Sequence, residues 1–303
     1  MKYPAKIILF GEYGVLLGAN ALAMPYSSYS GQISLNTVPN EHSLELSESS
    51  HASLIKLGQY FQANISTFNY LNIELFELEL KQGLFFQSTI PTGSGLGSSG
   101  AVSAAIYDRY LLPGSETTDL MLIKHRLAAI ESCFHQVSSG IDPLISWINK
   151  PILIDSPNNR IREIDLSSFF KTYTLFLINS NKSGETGMLV ANFMDKLSHP
   201  NFRENIENTY IPIINQTIES LLANDFSTFE ASLTEYSSFQ RSHLDWLITE
   251  QYLEHFEYGI STGDFQLKIC GSGGGGHLLA LAKDRNKAEI YFKLNHLDYT
   301  VVN

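Results

Sequence analysis

Pro91-Thr92-Gly93-Ser94-Gly95-Leu96-Gly97-Ser98-Ser99-Gly100 holds four glycines and three serines in ten residues. A strand-like apolar run precedes it (Leu84, Phe85, Phe86 to Ile90), and helix formers follow it (Ala101 to Tyr110). The stretch therefore reads as a glycine-rich loop feeding a helix N-terminus. Glycines let the backbone approach a ligand closely and adopt positive φ. The first N–H groups of a helix lack internal partners and lie at the positive end of its dipole. Together these features make an anion site, and phosphate is its usual occupant.

Three phosphate-loop patterns compete for the stretch. A Walker A loop ends in Gly-Lys-Ser/Thr, and no such triplet occurs here. The dinucleotide pattern G-x-G-x-x-G is met by Gly95, Gly97 and Gly100, but also by Gly271, Gly273 and Gly276, so it discriminates poorly. It also wants an acidic residue ending a second strand; Asp119 instead opens a helix-like run. The third pattern, P-x-x-x-G-L-G-S-S, is filled completely by Pro91 to Ser99.

Working outward, composition bounds the answer. The 303 residues are 44% hydrophobic and 17% charged, enough for one large or two ordinary folded domains. No apolar run approaches the roughly 18 residues that span a membrane, and the N-terminus does not read as a signal peptide. The net charge of −11, without a basic tract, argues against nucleic-acid binding. Cys133 and Cys270 read as buried thiols in a reducing, cytoplasmic setting.

In chain order, residues 3–10 read as a strand containing Lys6, followed by Gly11-Glu12-Tyr13-Gly14 and a second strand from Ala21. Residues 37–50 are polar and predict a surface strand or loop; 51–62 predict a helix. Asn72 to Leu80 alternates and predicts a half-exposed strand whose carboxylates form its wet face. Thr117-Thr118-Asp119 predicts an N-cap for a helix to about Phe134. Glu131 lies on the apolar stripe of that helix, and alone reads as an edge residue reaching solvent. His135-Gln136-Val137-Ser138-Ser139-Gly140-Ile141-Asp142 follows. Trp147 to Ile154 predicts a strand, 173–179 a buried strand, and 180–186 a loop carrying Lys182, a candidate anion contact. Two helical stretches (203–223 and 226–247) precede a second glycine run, Lys268 to Gly276, and then a strand, a helix and a last strand.

Pro91 to Ser99 resembles the phosphate loop of the GHMP small-molecule kinases. Two further segments are similar to motifs of that superfamily: Lys6 with Gly11-Glu12-Tyr13, and Lys268 to Gly276. Among its branches the chain most resembles the mevalonate kinases, in which the metal-binding Glu precedes the catalytic Asp by the same eleven residues that separate Glu131 from Asp142. The resemblance implies an α+β, two-domain GHMP kinase fold: an N-terminal ribosomal-protein-S5-like α/β domain (1–160, ATP-binding) and a C-terminal ferredoxin-like α+β domain (161–303), with ATP and substrate in the cleft between them. It implies ATP and Mg²⁺ as cofactors and mevalonate as substrate. It makes Asp142 the base and Lys6 its partner, and puts Pro91, Gly93, Ser94, Gly95, Leu96, Gly97, Ser98 and Ser99 around the ATP phosphates. Ser99 and Glu131 become metal ligands, and Glu12, Tyr13, Lys182, Gly273 and Gly274 substrate contacts. Tyr13 stands where mevalonate kinases usually have His, a feature more typical of phosphomevalonate kinases, which remain the alternative within the superfamily. A non-catalytic ligand-sensing relative is the alternative from another class. It would be expected to lose Lys6, Glu131 or Asp142, and all three are present. The expected assembly is a monomer or homodimer, without nucleic-acid or membrane partners.

Overall fold

Twelve α-helices and nine strands account for most of the residues that the computed structural model describes, 1–35, 41–135, 138–182 and 186–302, with side chains described except at 41–47 and 186. Their order is β1 (Tyr3–Phe10), β2 (Ala21–Leu35), α1 (Glu41–Ala63), α2 (Ile73–Lys81), β3 (Leu84–Ser88), α3 (Ser98–Tyr110), α4 (Leu120–His135), α5 (Ile141–Ile148), β4 (Ile152–Asp155), β5 (Arg160–Glu163), α6 (Ser167–Thr172), β6 (Thr174–Asn179), α7 (Thr186–Lys196), α8 (Pro200–Asn205), α9 (Ile211–Leu222), α10 (Phe226–His243), α11 (Leu253–Thr262), β7 (Gln266–Ile269), β8 (His277–Ala282), α12 (Arg285–Leu294) and β9 (Tyr299–Val301). No described helix is long and apolar enough to cross a membrane.

The chain forms two compact units, neither of them one continuous stretch. The first comprises Met1–Lys6, Pro25–Pro91 and Gly97–Lys150; the second comprises Ile7–Met24, Thr92–Leu96 and Pro151–Asn303.

In the first unit the end of β2 pairs antiparallel with β3, Gly31 opposite Ser88 and Leu35 opposite Leu84. Helix α1 packs on β3, and α3 packs on both α4 and α5. Phe61, Phe68, Phe76 and Tyr110 are fully buried and meet edge-on or tilted, with ring centroids 4.6–5.4 Å apart. Each such side chain contributes roughly 1.5–3 kcal/mol by leaving water.

Three expectations are corrected here. Residues 36–40 lie outside the described residues, but 41–50 belong to α1 and not to a surface strand or loop. Once the apolar turn at Leu54, Leu57 and Phe61 is buried, extending the helix fixes one residue per hydrogen bond and no new nucleus is needed. Ser50 also anchors this part, exchanging hydrogen bonds with Phe86 of β3.

The alternating segment 72–80 is a helix, α2. The Asn72 side chain caps it by accepting from the Leu75 N–H at 3.0 Å. Ile73, Phe76 and Glu79 are its buried positions, a three-residue spacing, whereas Leu75 and Leu78 are exposed. Glu79 is not on a wet face: Arg109 holds it bidentately at 2.5 and 2.7 Å, and the Tyr110 hydroxyl donates to it. Trp147, expected in a strand, lies in the last turn of helix α5. Asn149, at φ 54°, terminates the helix, and β4 begins only after Pro151.

In the second unit β6–β9 form a four-stranded antiparallel sheet in the order β7-β8-β6-β9. Its central strand β8 is buried at every position. The start of β2 pairs with β4, and β4 with β5. Helices α10 and α11 pack on β7, and α9 packs on α10. Pro212 supplies no N–H in the first turn of α9, and residues 206–210 before it widen into a π-helical turn. Phe10, Phe169, Tyr173, Phe229 and Tyr236 form this unit's aromatic core.

Candidate active site

Strand β1 carries Lys6 into the first unit's interior, where it is 2% exposed. Gly140, at φ 72°, starts α5 and sets Asp142 in that helix's first turn, where the helix dipole favours a carboxylate. Lys6 Nζ lies 3.0 Å from Asp142 Oδ2; the lysine side chain is buried and the aspartate side chain is 27% exposed. The start of α3 closes over this pair only because two positions lack side chains. A Cβ on Gly97 would lie 2.7 Å from Lys6 Cγ, and one on Gly100 would lie 2.8 Å from the Asp142 carbonyl carbon.

Helix α4 brings Glu131 to the same end of α3. Asp119 caps α4 by accepting from the N–H groups of Met121 and Leu122, and the helical period then turns Glu131 inward. It is 4% exposed, not an edge residue reaching solvent. The Ser99 hydroxyl donates to its Oε1 at 2.9 Å, and the Ser138 hydroxyl to its Oε2 at 2.5 Å. Burial and then the Asp142 charge push its carboxyl up to about 7, opposed by the two hydroxyls and by Lys6. His135 Nε2 lies 2.9 Å from Ser99 Oγ, and burial holds its imidazole below the usual range.

These residues fit a magnesium ion. Their donors are hard oxygens, and among the described residues no salt bridge is made by the buried Glu131 carboxylate, Lys6 being paired with Asp142. Among the described residues no group of three or more His, Cys, Asp and Glu side chains is placed to hold a metal alone. That accords with an ion that takes one or two carboxylates and completes its sphere with water and substrate phosphates.

The second unit holds the glycine-loop residues 92–96. Gly93 and Gly95 have φ 68° and 79°, and Leu96 is fully buried as the loop's anchor. A Cβ on Gly95 would lie 2.5 Å from the Cys270 carbonyl oxygen. His277 Nδ1 donates to the Ser94 carbonyl at 3.1 Å. The loop ends at α3, whose first turn receives no side-chain cap, so no capping side chain competes with an anion for its first N–H groups. Pro91, Ser98 and Ser99 fall in the first unit.

Elsewhere in the second unit, Glu12 is buried. Its carboxylate pairs with the fully buried Lys268 ammonium and accepts from the Tyr236 hydroxyl at 2.8 Å. Tyr13 donates its hydroxyl to the Ser272 carbonyl at 2.6 Å and lies against Phe193. Gly273 and Gly274 are packed close to Leu247 and Leu189. Lys182 is exposed, and its carbonyl accepts from the Gly276 N–H. Residues 183–185 of the expected loop lie outside the described residues.

Sequence reading left three members of these clusters without a role. Ser138 stood inside a quoted segment, and its pairing with Glu131 depends on how the chain turns between α4 and α5. Lys268 opened the second glycine run, but nothing local pointed to Glu12 as its partner. Tyr236 lies on a helical stripe like any core aromatic and carries no signal of its own.

The chain is similar to several known proteins. Residues 55–148 match the family model for the GHMP kinases N terminal domain. A mevalonate kinase of Methanothermobacter thermautotrophicus is 27% identical over 292 residues, covering 91% of this chain and 88% of that protein. The fold matches an L. major mevalonate kinase solved with R-mevalonate (TM-score 0.64, 19% identity, covering 96% of this chain and 89% of that one). It also matches a Streptococcus pneumoniae phosphomevalonate kinase (TM-score 0.66, 14% identity, covering 100% and 99%). The chain adopts the two-domain α+β fold of the GHMP kinases, and residues 55–148 are similar to their N-terminal domain.

Proposed function

We propose that this chain transfers the γ-phosphoryl group of ATP to the primary hydroxyl of mevalonate, giving phosphomevalonate and ADP. The observation that carries the reading is the pair of Asp142, partly open to solvent, and Lys6, buried 3.0 Å away. Phosphoryl transfer asks a protein mainly for positioning and for stabilisation of spread negative charge. Asp142 accepts the proton as the substrate oxygen attacks the γ-phosphorus. The bond from that phosphorus to the β,γ-bridging oxygen breaks, and ADP leaves. Lys6, 3.0 Å from that carboxylate, favours the developing alkoxide. Backbone N–H groups of Gly93 to Ser99 hold the ATP phosphates. Ser99 and Glu131 would hold Mg²⁺, whose charge, when bound, offsets that of the phosphate oxygens.

The substrate is assigned on two grounds. Relatives matching nine-tenths of the chain are named mevalonate kinases. An already phosphorylated substrate needs extra cations, and the Lys268 ammonium is fully buried against Glu12. We assign Lys182, Gly273 and Gly274 to the substrate side. Cys133 and Cys270 are not joined in a disulfide, which supports a cytoplasmic setting.

ADP release from Mg-ATP, measured in parallel with mevalonate, phosphomevalonate, homoserine and galactose, tests this reading. Turnover is expected with mevalonate, falling about 10²- to 10⁴-fold in Asp142→Asn, the usual worth of a positioned base. Turnover on phosphomevalonate instead would overturn the substrate and keep the mechanism. Inactivity on all four would favour a ligand-sensing role.

A further inference from the structure

The segment Gly11 to Gly14 is held in a conformation that its own sequence does not favour. Tyr13 has φ 61° and ψ −44°, and the Gly14 N–H donates to the Glu12 carbonyl at 2.6 Å. That is a γ-turn of the positive-φ kind, the rare and strained form, here centred on a bulky aromatic residue. Such conformations persist only where the surroundings over-determine them, and they collect at functional sites.

The surroundings of Tyr13 do over-determine it. On one side stands the Glu12 carboxylate, buried and paired with Lys268. The other Lys268 donors go to the carbonyls of Ile269 at 2.6 Å and Ile8 at 3.4 Å, and its ammonium lies 5.9–6.0 Å from the centroids of the Tyr236 and Phe10 rings. The Tyr236 hydroxyl donates to Glu12 and accepts from the Gly11 N–H at 3.2 Å. On the other side Tyr13 is fixed at its ring by Phe193 and at its hydroxyl by Ser272. Both charges are thereby used up within the protein. A buried pair of this kind adds little net stability over an apolar substitute, yet losing one partner is costly, so it has to be accounted for by what it positions. Among the described residues the backbone N–H groups of Glu12 and Tyr13 have no hydrogen-bond partner, although buried N–H groups are almost always paired.

We propose that Glu12 and Lys268 are positioning residues and not substrate contacts. Their buried pair holds Tyr13 in its strained turn and thereby aims the N–H groups of Glu12 and Tyr13 at an anionic oxygen of the substrate. Resting on the reaction proposed above, that oxygen belongs to the carboxylate of mevalonate. The first motif would then recognise substrate through its backbone, and the Glu12 side chain would never touch it.

The test uses the full chain with 3-fluorotyrosine placed at position 13, in the parent, in Lys268→Met, in Glu12→Gln and in the double variant. The double variant replaces the ion pair by neutral groups of similar size and keeps the experiment readable if a single variant fails to fold. The expected result in folded double variant is a displaced or broadened ¹⁹F resonance. With it, KM for mevalonate rises about 10- to 100-fold, as for a misplaced binding group, while KM for ATP stays within about twofold and kcat changes little. The primary amide of mevalonate, which lacks the anionic oxygen, is expected to lose much less between parent and variant. An unchanged ¹⁹F resonance with parent-like KM for mevalonate overturns the proposal, and so does an equal rise in both KM values. If the parent does not turn over mevalonate at all, the proposed reaction fails, and the ¹⁹F arm still decides whether the pair sets the Tyr13 turn.

Discussion

Glu131 illustrates how one residue's surroundings decide its chemistry. Buried among the Ser99 and Ser138 hydroxyls and near Asp142, its carboxyl rises from 4.5 to about 7. The unfolded chain releases that proton near pH 4.5 and the folded chain only near pH 7. Between these values the folded state binds more protons, so stability is greatest below the lower value and falls as pH rises through the window. In metal-free protein the loss should be on the order of 3 kcal/mol, read from urea unfolding in EDTA at pH 5 and pH 8. Glu131→Gln should flatten that slope, and a slope as steep as the parent's would refute the assignment. Magnesium binding should release a proton below pH 7, visible as buffer-dependent heat in calorimetry. At Asp142 the same scale gives a second expectation: Lys6→Met removes the buried ammonium 3.0 Å from the carboxylate, and kcat should fall about 10²-fold, as for a misplaced reacting group.

At the scale of elements, α2 and α3 show where local sequence misleads and where it suffices. Helix α2 was read as a strand because Leu75, Leu78 and Leu80 alternate with glutamates. What prevails is the set of positions that finds a partner: Ile73 and Phe76 bury their apolar groups, and Glu79 is met by Arg109 and Tyr110 of α3. No periodicity count contains that ion pair. Phe76→Ala should cost about 3–5 kcal/mol in denaturant unfolding, whereas Leu78→Ala, at an exposed position, should stay within about 0.5 kcal/mol. Equal costs would mean the strand reading was right about which face is buried. Helix α3 was legible from the helix formers Ala101 to Tyr110 behind a glycine loop, and close approach demands those glycines wherever it happens. Gly100→Ala should accordingly displace Asp142, with activity falling about 10²-fold as for a misplaced reacting group.

For the molecule as a whole, the net charge of −11 opposes an anionic nucleotide, and two of the lysines nearest the motifs, Lys6 and Lys268, are neutralised by Asp142 and Glu12. On the proposed reaction, that leaves ATP to be held mainly by backbone dipoles and a bound divalent cation. KM for Mg-ATP should fall as ionic strength rises toward 0.15 M, where screening shortens to about 8 Å; a KM that rises with salt would reveal a cationic surface. The amino-acid sequence alone yielded the GHMP resemblance, the glycine-loop pattern, the Lys6–Asp142 and Glu131 candidates and the α+β class, because glycine requirements and residue spacing are local and leave their mark in the chain. Only the tertiary structure decided that Glu12 is paired with Lys268, that Ser138 serves Glu131, that Glu79 is buried and that Tyr13 is bent into a strained turn. Those facts depend on partners dozens to hundreds of residues away, and on which buried charge finds its counter-charge first, a competition that no local pattern encodes.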